Sequence, residues 1–173
     1  MSLQIVRAGL QDGVLLQNLF QLYTHDFSEF WVGSARGELG ADGRYTDYPL
    51  EPFFSRPNWS AWLLTAGEAP AGFALINDAA HSGLLARRSM AEFFVVRKHR
   101  GQGAGRAAAQ TLIAAEPGSW EIAVARANAG ALAFWRKVAA ACAAGPVEEL
   151  DIAGPEWNGP VLRFEAAAQL SRS

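Results

Sequence analysis

The sequence predicts an α/β fold, a mixed sheet with helices on both of its faces. Three observations carry this. Two strand-like runs, Ser60 to Ala66 and Ala71 to Asn77, stand close enough together to form a hairpin. The run Ala91 to Val96 is mostly apolar on both faces, as in a strand covered from both sides. From there strand and helix patterns alternate to the end of the chain, which indicates helices packed onto a sheet.

Taken in order, Leu3 to Ala8 reads as the first strand, with Leu3, Ile5 and Arg7 alternating against Gln4 and Val6. Asp12 stands where it could cap a helix whose Leu15, Leu16, Leu19, Leu22 and Tyr23 share one face. That helix runs to about Glu29, and His25 and Glu29, four apart, are neighbours on one side of its end. The segment 33–58 then dissolves into Gly, Asp, Pro and aromatic residues, a long connection that implies a functional or partly mobile segment. Tyr45, Tyr48, Phe53, Phe54 and Trp59 give it apolar contact area. Gly67-Glu68-Ala69-Pro70 is a hairpin-length turn, and 78–88 is a polar break. After the Ala91 to Val96 strand come basic residues, a glycine loop and an Ala-rich helix, Arg106 to Ala115, which Glu116-Pro117-Gly118 terminates. Trp120 to Arg126 is a further strand. Asn128 caps a helix holding Leu132, Phe134, Trp135 and Val138. Two short strands close the chain, near Val147 to Ile152 and Pro160 to Phe164, around a Trp157-Asn158-Gly159 turn.

With 173 residues the chain is expected to form one domain, 1–173, large enough to bury a core without staples. A net charge of -2 gives no general attraction to nucleic acid or to acidic membranes, and neither is expected as a partner. The charge is uneven, however. Six of the fifteen Lys and Arg residues (Arg87, Arg88, Arg97, Lys98, Arg100, Arg106) fall between positions 87 and 106, beside a single acid, Glu92. That is a local site for a small anion. Cys142 is the one cysteine, so no intramolecular disulfide and no thiolate metal cluster is expected, and no metal is. Neither a secretory leader nor a run of about 20 apolar residues is visible, so a cytoplasmic location is expected.

The anion site is expected in Arg100-Gly101-Gln102-Gly103-Ala104-Gly105-Arg106, between a buried strand and a helix. Backbone N–H groups at a helix N-terminus, with no Cβ over the glycines, suit a pyrophosphate. The nucleoside-triphosphate loop is excluded, because Gly101 is followed five residues later by Arg106 and not by Gly-Lys. Gly103, Gly105 and Ala108 formally meet the dinucleotide fingerprint. Four basic residues separate that loop from its strand, however, and Glu121 opens the next strand where an acid should close it.

Arg100 to Gly105 also matches [R/Q]-x-x-G-x-[G/A], the acyl-CoA loop of the GNAT superfamily of N-acyltransferases. Asn128 to Trp135 (NAGALAFW) resembles that family's following motif, N-x-x-A-x-x-[LF]-[YFW], at the expected distance. The resemblance is clear over about residues 59–140, and LYTHDFSEF with AFWRK resembles a group of predicted acetyltransferases within the superfamily. It implies a mostly antiparallel sheet of six to seven strands with a splayed central strand. It also implies an acetyl-CoA-dependent N-acetyltransferase acting on a primary amine of a small molecule or peptide. Cofactor contacts are then implied at Phe94, Val95, Val96, Arg100, Gly101, Gln102, Gly103, Ala104, Gly105, Arg106, Asn128, Phe134 and Trp135. Many relatives carry an acid Tyr at the position of Trp135, so their tyrosine step does not transfer.

Two carboxylates in apolar strands, Glu92 and Glu121, are the candidate bases, since strand burial raises a carboxyl pKa towards the useful range. His25 and His81 stand behind them. Tyr23, His25, Asp26 and Glu29 are candidate walls of the acceptor pocket, and the acids of 25–59 would suit a cationic amine. The alternative is a non-catalytic acyl-CoA-binding or regulatory module of the same fold. A homodimer is compatible with the sequence.

Overall fold

In the computed structural model, which describes residues 2–167, the apolar runs become one seven-stranded sheet. Its strands are β1 (Gln4–Arg7), β2 (Ser60–Ala66), β3 (Ala69–Asn77), β4 (Arg88–Val95), β5 (Gly118–Ala123), β6 (Glu148–Ala153) and β7 (Asn158–Ala166), in the order β1-β2-β3-β4-β5-β7-β6. Every neighbouring pair is antiparallel except β4 and β5, which run parallel. This is the mixed, mostly antiparallel sheet that the sequence and its resemblance predicted.

Both faces are covered, which is why β3 is apolar without interruption. Leu16, Leu19 and Phe20 of α1 (Gly13–Ser28) and Phe53 of α2 (Pro52–Ser55) pack with Leu63, Phe73, Leu75 and Phe94 on one face. On the other face Leu112 and Ile113 of α3 (Ala104–Ala114) and Trp135 and Val138 of α4 (Ala129–Cys142) pack with Ile76, Met90, Trp120, Ile122 and Phe164. Burying an aliphatic or aromatic side chain of this kind gains roughly 1.5–3 kcal/mol. No helix among the described residues is long and apolar enough to cross a membrane.

Several boundaries differ from the sequence pattern, each for a local reason. Asp12 occupies the N-cap position of α1, but its carboxylate accepts the Gly9 amide at 2.9 Å and closes the preceding turn instead. The β2–β3 hairpin has only Gly67 and Glu68 in its loop, because Gly67 supplies the positive φ (62°) that a two-residue turn needs. Helix α3 begins at Ala104, directly after Gly103 turns the chain with φ 79°. The 33–58 connection holds the short α2, and α1 pins the rest of it. Gln17 and Gln21, one turn apart, each donate to and accept from a loop backbone: Gln17 with Tyr48 (2.6 and 3.1 Å), Gln21 with Tyr45 (3.1 and 2.8 Å).

Two irregularities shape the centre of the sheet. The β3–β4 register skips Ala91, since Ile76 faces Met90 while Leu75 faces Glu92. The bulge turns Ala91 and its neighbour Glu92 to the α1 face together. Strands β4 and β5 pair only at Arg88↔Trp120 and Ser89↔Glu121, and beyond Ser89 they part.

Candidate active site

The parting of β4 and β5 leaves an open backbone edge in the middle of the sheet. Val96 N–H donates to Ala71 O at 2.8 Å, so strand alternation turns the N–H and C=O of Val95 away from β3 and into the gap. A buried backbone group needs a partner. Arg100 Nε supplies one, donating to Val95 O at 2.6 Å while its guanidinium lies 5.3 Å from the Phe94 ring centre. On the α3/α4 side the gap is lined by Phe93, which stacks on Phe134 (5.9 Å between centroids) and meets Trp135 edge-on at 5.3 Å. Trp135 is buried, and its place against Phe93 is a packing position.

Below the gap, the loop from Arg100 leads into α3. The amides of Ala104, Gly105 and Arg106 lie in the first turn, where no carbonyl one turn earlier can receive them. Gly101 and Gly103 have positive φ (82° and 79°), and a Cβ on either would meet nothing within 4 Å, so the space over the loop is open. Gly105 is different, since a Cβ there would come within 3.1 Å of Val95 Cγ2, so α3 lies tight against β4 at this point. Asn128 caps α4, its side chain accepting the Ala131 amide at 3.0 Å.

Asp26 is tied to the basic residues that lead into this loop. Its carboxylate bridges Arg97 (2.8 Å) and Arg100 (2.5 Å). Partial burial would raise its pKa, but the hydrogen bonds from the two arginines outweigh that and hold it below the ordinary value. Lys98 and Arg106 form no ion pair among the described residues.

Across β4, on the α1 face, Glu92 is enclosed by aromatics. Tyr23 Oη donates to its carboxylate at 2.5 Å, and the Tyr48 hydroxyl lies near enough to lower its proton affinity. Tyr23 meets Phe73 and Phe94 edge-on, and Tyr48 stacks on Phe20 at 4.2 Å. Burial pushes the Glu92 carboxyl up to about 7, against the pull of both tyrosines and the charge of Arg36. Burial first, and then the Glu92 charge, raise both tyrosine hydroxyls well above their usual range, so they act as donors. Glu92 is largely but not fully buried.

Glu121 has a different environment. It is fully buried, and every side of its carboxylate is engaged. It accepts the amides of His81 (2.5 Å) and Ser82 (3.1 Å), the Ser82 hydroxyl, and Arg163 Nη1 at 2.9 Å. The structure thus brings Tyr23 together with Glu92 and groups Asp26 with Arg97 and Arg100. His25 and Glu29 are exposed beyond them, His25 Nδ1 lying 3.2 Å from Tyr45 Oη. Sequence reasoning missed Tyr48 as a partner of Glu92. The available signal was the i, i+4 pair Gln17 and Gln21, which faces the loop from α1. Among the described residues no group of three or more His, Cys, Asp or Glu is placed to hold a metal ion.

Comparison with known proteins bears on the fold and the family. A solved acetyltransferase from Thermus thermophilus superposes with a TM-score of 0.66 at 18% identity, covering 95% of this chain and 97% of that one. The GNAT domain of S. lividans PAT gives 0.63 at 14% identity, covering 94% and 90%. Aminoglycoside acetyltransferase AAC(6')-Ib, crystallised with coenzyme A and kanamycin, gives 0.64 at 12% identity, covering 95% of each chain. At these identities the likeness establishes the fold. No curated protein matched the sequence. The acetyltransferase (GNAT) family model matches residues 16–140, which takes in α1, the open edge of β4, the glycine loop and most of α4, and the chain belongs to that family.

Proposed function

We propose that the protein is an acetyl-CoA-dependent N-acetyltransferase of primary amines, with Glu92 as the base. The observation that carries this reading is the position of Glu92. It is a carboxylate poised at about 7, on the strand whose next residues open onto the gap. A base works best when its pKa lies near the operating pH.

The residues present fit an acyl-CoA. Open amides at the start of α3, a favourable helix dipole, and Arg106 with Lys98 would hold the pyrophosphate. The β4 edge at Val95 would pair with the pantetheine arm, and a free N–H there would stabilise the oxyanion of the thioester. Phe93, Phe134 and Trp135 would shield the arm from water. Acetyl-CoA supplies an activated acyl group. The amine nitrogen attacks the thioester carbonyl carbon, forming the C–N bond, and the nitrogen gives its proton to Glu92. The C–S bond breaks with its electron pair on sulfur, and the thiolate takes a proton from solvent. A thiol is acidic enough to leave without an acid at Trp135.

Thiol release from acetyl-CoA with a panel of primary amines tests the reading, alongside cofactor binding by calorimetry. The wild type is expected to turn over at least one amine, and Glu92→Gln to lower kcat by about 100-fold, a usual size for a general base, with cofactor affinity kept. Trp135 favours a second reading, a cofactor-binding module without turnover. Tight binding with no thiol release from any amine would establish that reading instead.

A further inference from the structure

At the far end of an aromatic wall that starts at Glu92 lies Arg36, a cation that forms no ion pair among the described residues, and the geometry points to a carboxylate subsite there. In this assignment Arg36 receives the anionic group of an acceptor that carries both a primary amine and a carboxylate, an amino-acid-like substrate. The inference rests on the acetyltransferase reading and deepens it.

A continuous aromatic wall leads from the base to this arginine. Tyr23, Phe27 and Trp31 are spaced four apart along α1 and the turn after it, with ring centroids 5.2 and 5.4 Å apart. The wall begins at the Tyr23 hydroxyl on Glu92 and ends where the Arg36 guanidinium lies 4.6 Å from the Trp31 ring centre. A guanidinium laid on an indole keeps its charge and its planar fork of donors, the shape that matches a carboxylate.

The arginine is held there by the chain that follows it. Gly37 sits so close to the indole that a Cβ would lie 2.7 Å from a Trp31 ring carbon and 3.1 Å from Ser28 Cβ. Its φ of 75° also favours glycine at that point. The Arg36 amide donates to Ser34 Oγ at 3.2 Å. The charge is felt at the base, where it lowers the proton affinities of Glu92 and Tyr23.

Two acids of this region pair with other arginines. Asp26 is taken by Arg97 and Arg100, and Asp47 by Arg44. The Glu29 charge acts on Arg97. Arg36 forms no ion pair among the described residues. The wall that leads from the base ends at one positive charge, suited to orient the amine by its own carboxylate.

The test compares amino acids with their carboxamides, from α to ω spacing of amine and carboxyl, by thiol release from acetyl-CoA. At one spacing at least, the acid is expected to exceed its amide about tenfold in kcat/KM, the size of a charge-assisted hydrogen bond. Arg36→Gln should collapse that ratio towards one through KM, and Arg36→Lys should restore part of it. Equal use of acid and amide at every spacing, or a loss in Arg36→Gln that falls equally on both, overturns the subsite and leaves the acetyltransferase reading standing. No thiol release from any amine overturns both.

Discussion

At the scale of single residues, the site is a contrast between two glutamates that look alike in the sequence. Each sits in an apolar strand, and neither periodicity nor composition separates them. Their partners do. Glu121 is met by two amides, a hydroxyl and a guanidinium, whereas Glu92 is met by the Tyr23 hydroxyl among aromatic rings. Those partners come from residues 39 to 69 positions away, which is why the sequence could name both candidates and choose neither. The Tyr23 contact makes a sharp prediction. Its hydroxyl stabilises the carboxylate, so Tyr23→Phe should raise the Glu92 pKa above about 7. A carboxylate base works only when ionised, so with Glu92 in that role activity is lost as pH falls through that value. The acid limb of kcat/KM should therefore move to higher pH, by about one unit for a lost hydrogen bond of ordinary strength. A limb that stays in place in the pH–rate profile would remove Glu92 from the base role.

At the scale of elements, the legible parts were those governed by local pattern. The buried strand β4, the glycine loop and the Asn128-capped α4 follow from apolar runs, glycines and a cap residue, and all stand where the sequence put them. The Ala91 bulge and the parting of β4 from β5 have no local signal, because they depend on which strand lies alongside. The 78–88 segment read as a polar break, yet Glu121 and Arg163 hold it firmly to β5 and β7. Arg163 bonds Ser82 Oγ at 2.6 Å and Leu85 O at 2.9 Å, and the amides of His81 and Ser82 point to Glu121. Glu121→Ala should strand a buried guanidinium and two amides. The expected loss is about 3–5 kcal/mol in urea unfolding, as for other broken buried pairs. Where the variant is still folded, its pH–rate limb should remain near that of the wild type. A flat pH–rate profile in a variant of unchanged stability would instead place Glu121 in the proton transfer.

At the scale of the whole molecule, the sheet is two half-sheets that share little backbone. β1 to β4 form one and β5, β7 and β6 the other, and only two residue pairs join them, at the Arg88 end of β4. The rest of the junction is the 78–88 segment, held by Glu121 and Arg163, and the packing of α3 and α4 beneath the gap. A ligand that hydrogen-bonds to the open edge at Val95 and lies against Phe134 and Trp135 would bind the folded state alone and tie the halves together. Acetyl-CoA at about 100 times its Kd should then add about 2.7 kcal/mol to stability. For a domain of this size that is a rise in Tm of roughly 5–10 °C. Amide exchange should localise the effect. The Val95 amide, pointing into the gap, should be slowed by acetyl-CoA, while Val96, already bonded to Ala71, should change little. If Tm rises but protection falls on 33–58 and not on Val95 and the first turn of α3, the ligand binds away from the gap. The cofactor half of the site would then have to be sought on the α1 face.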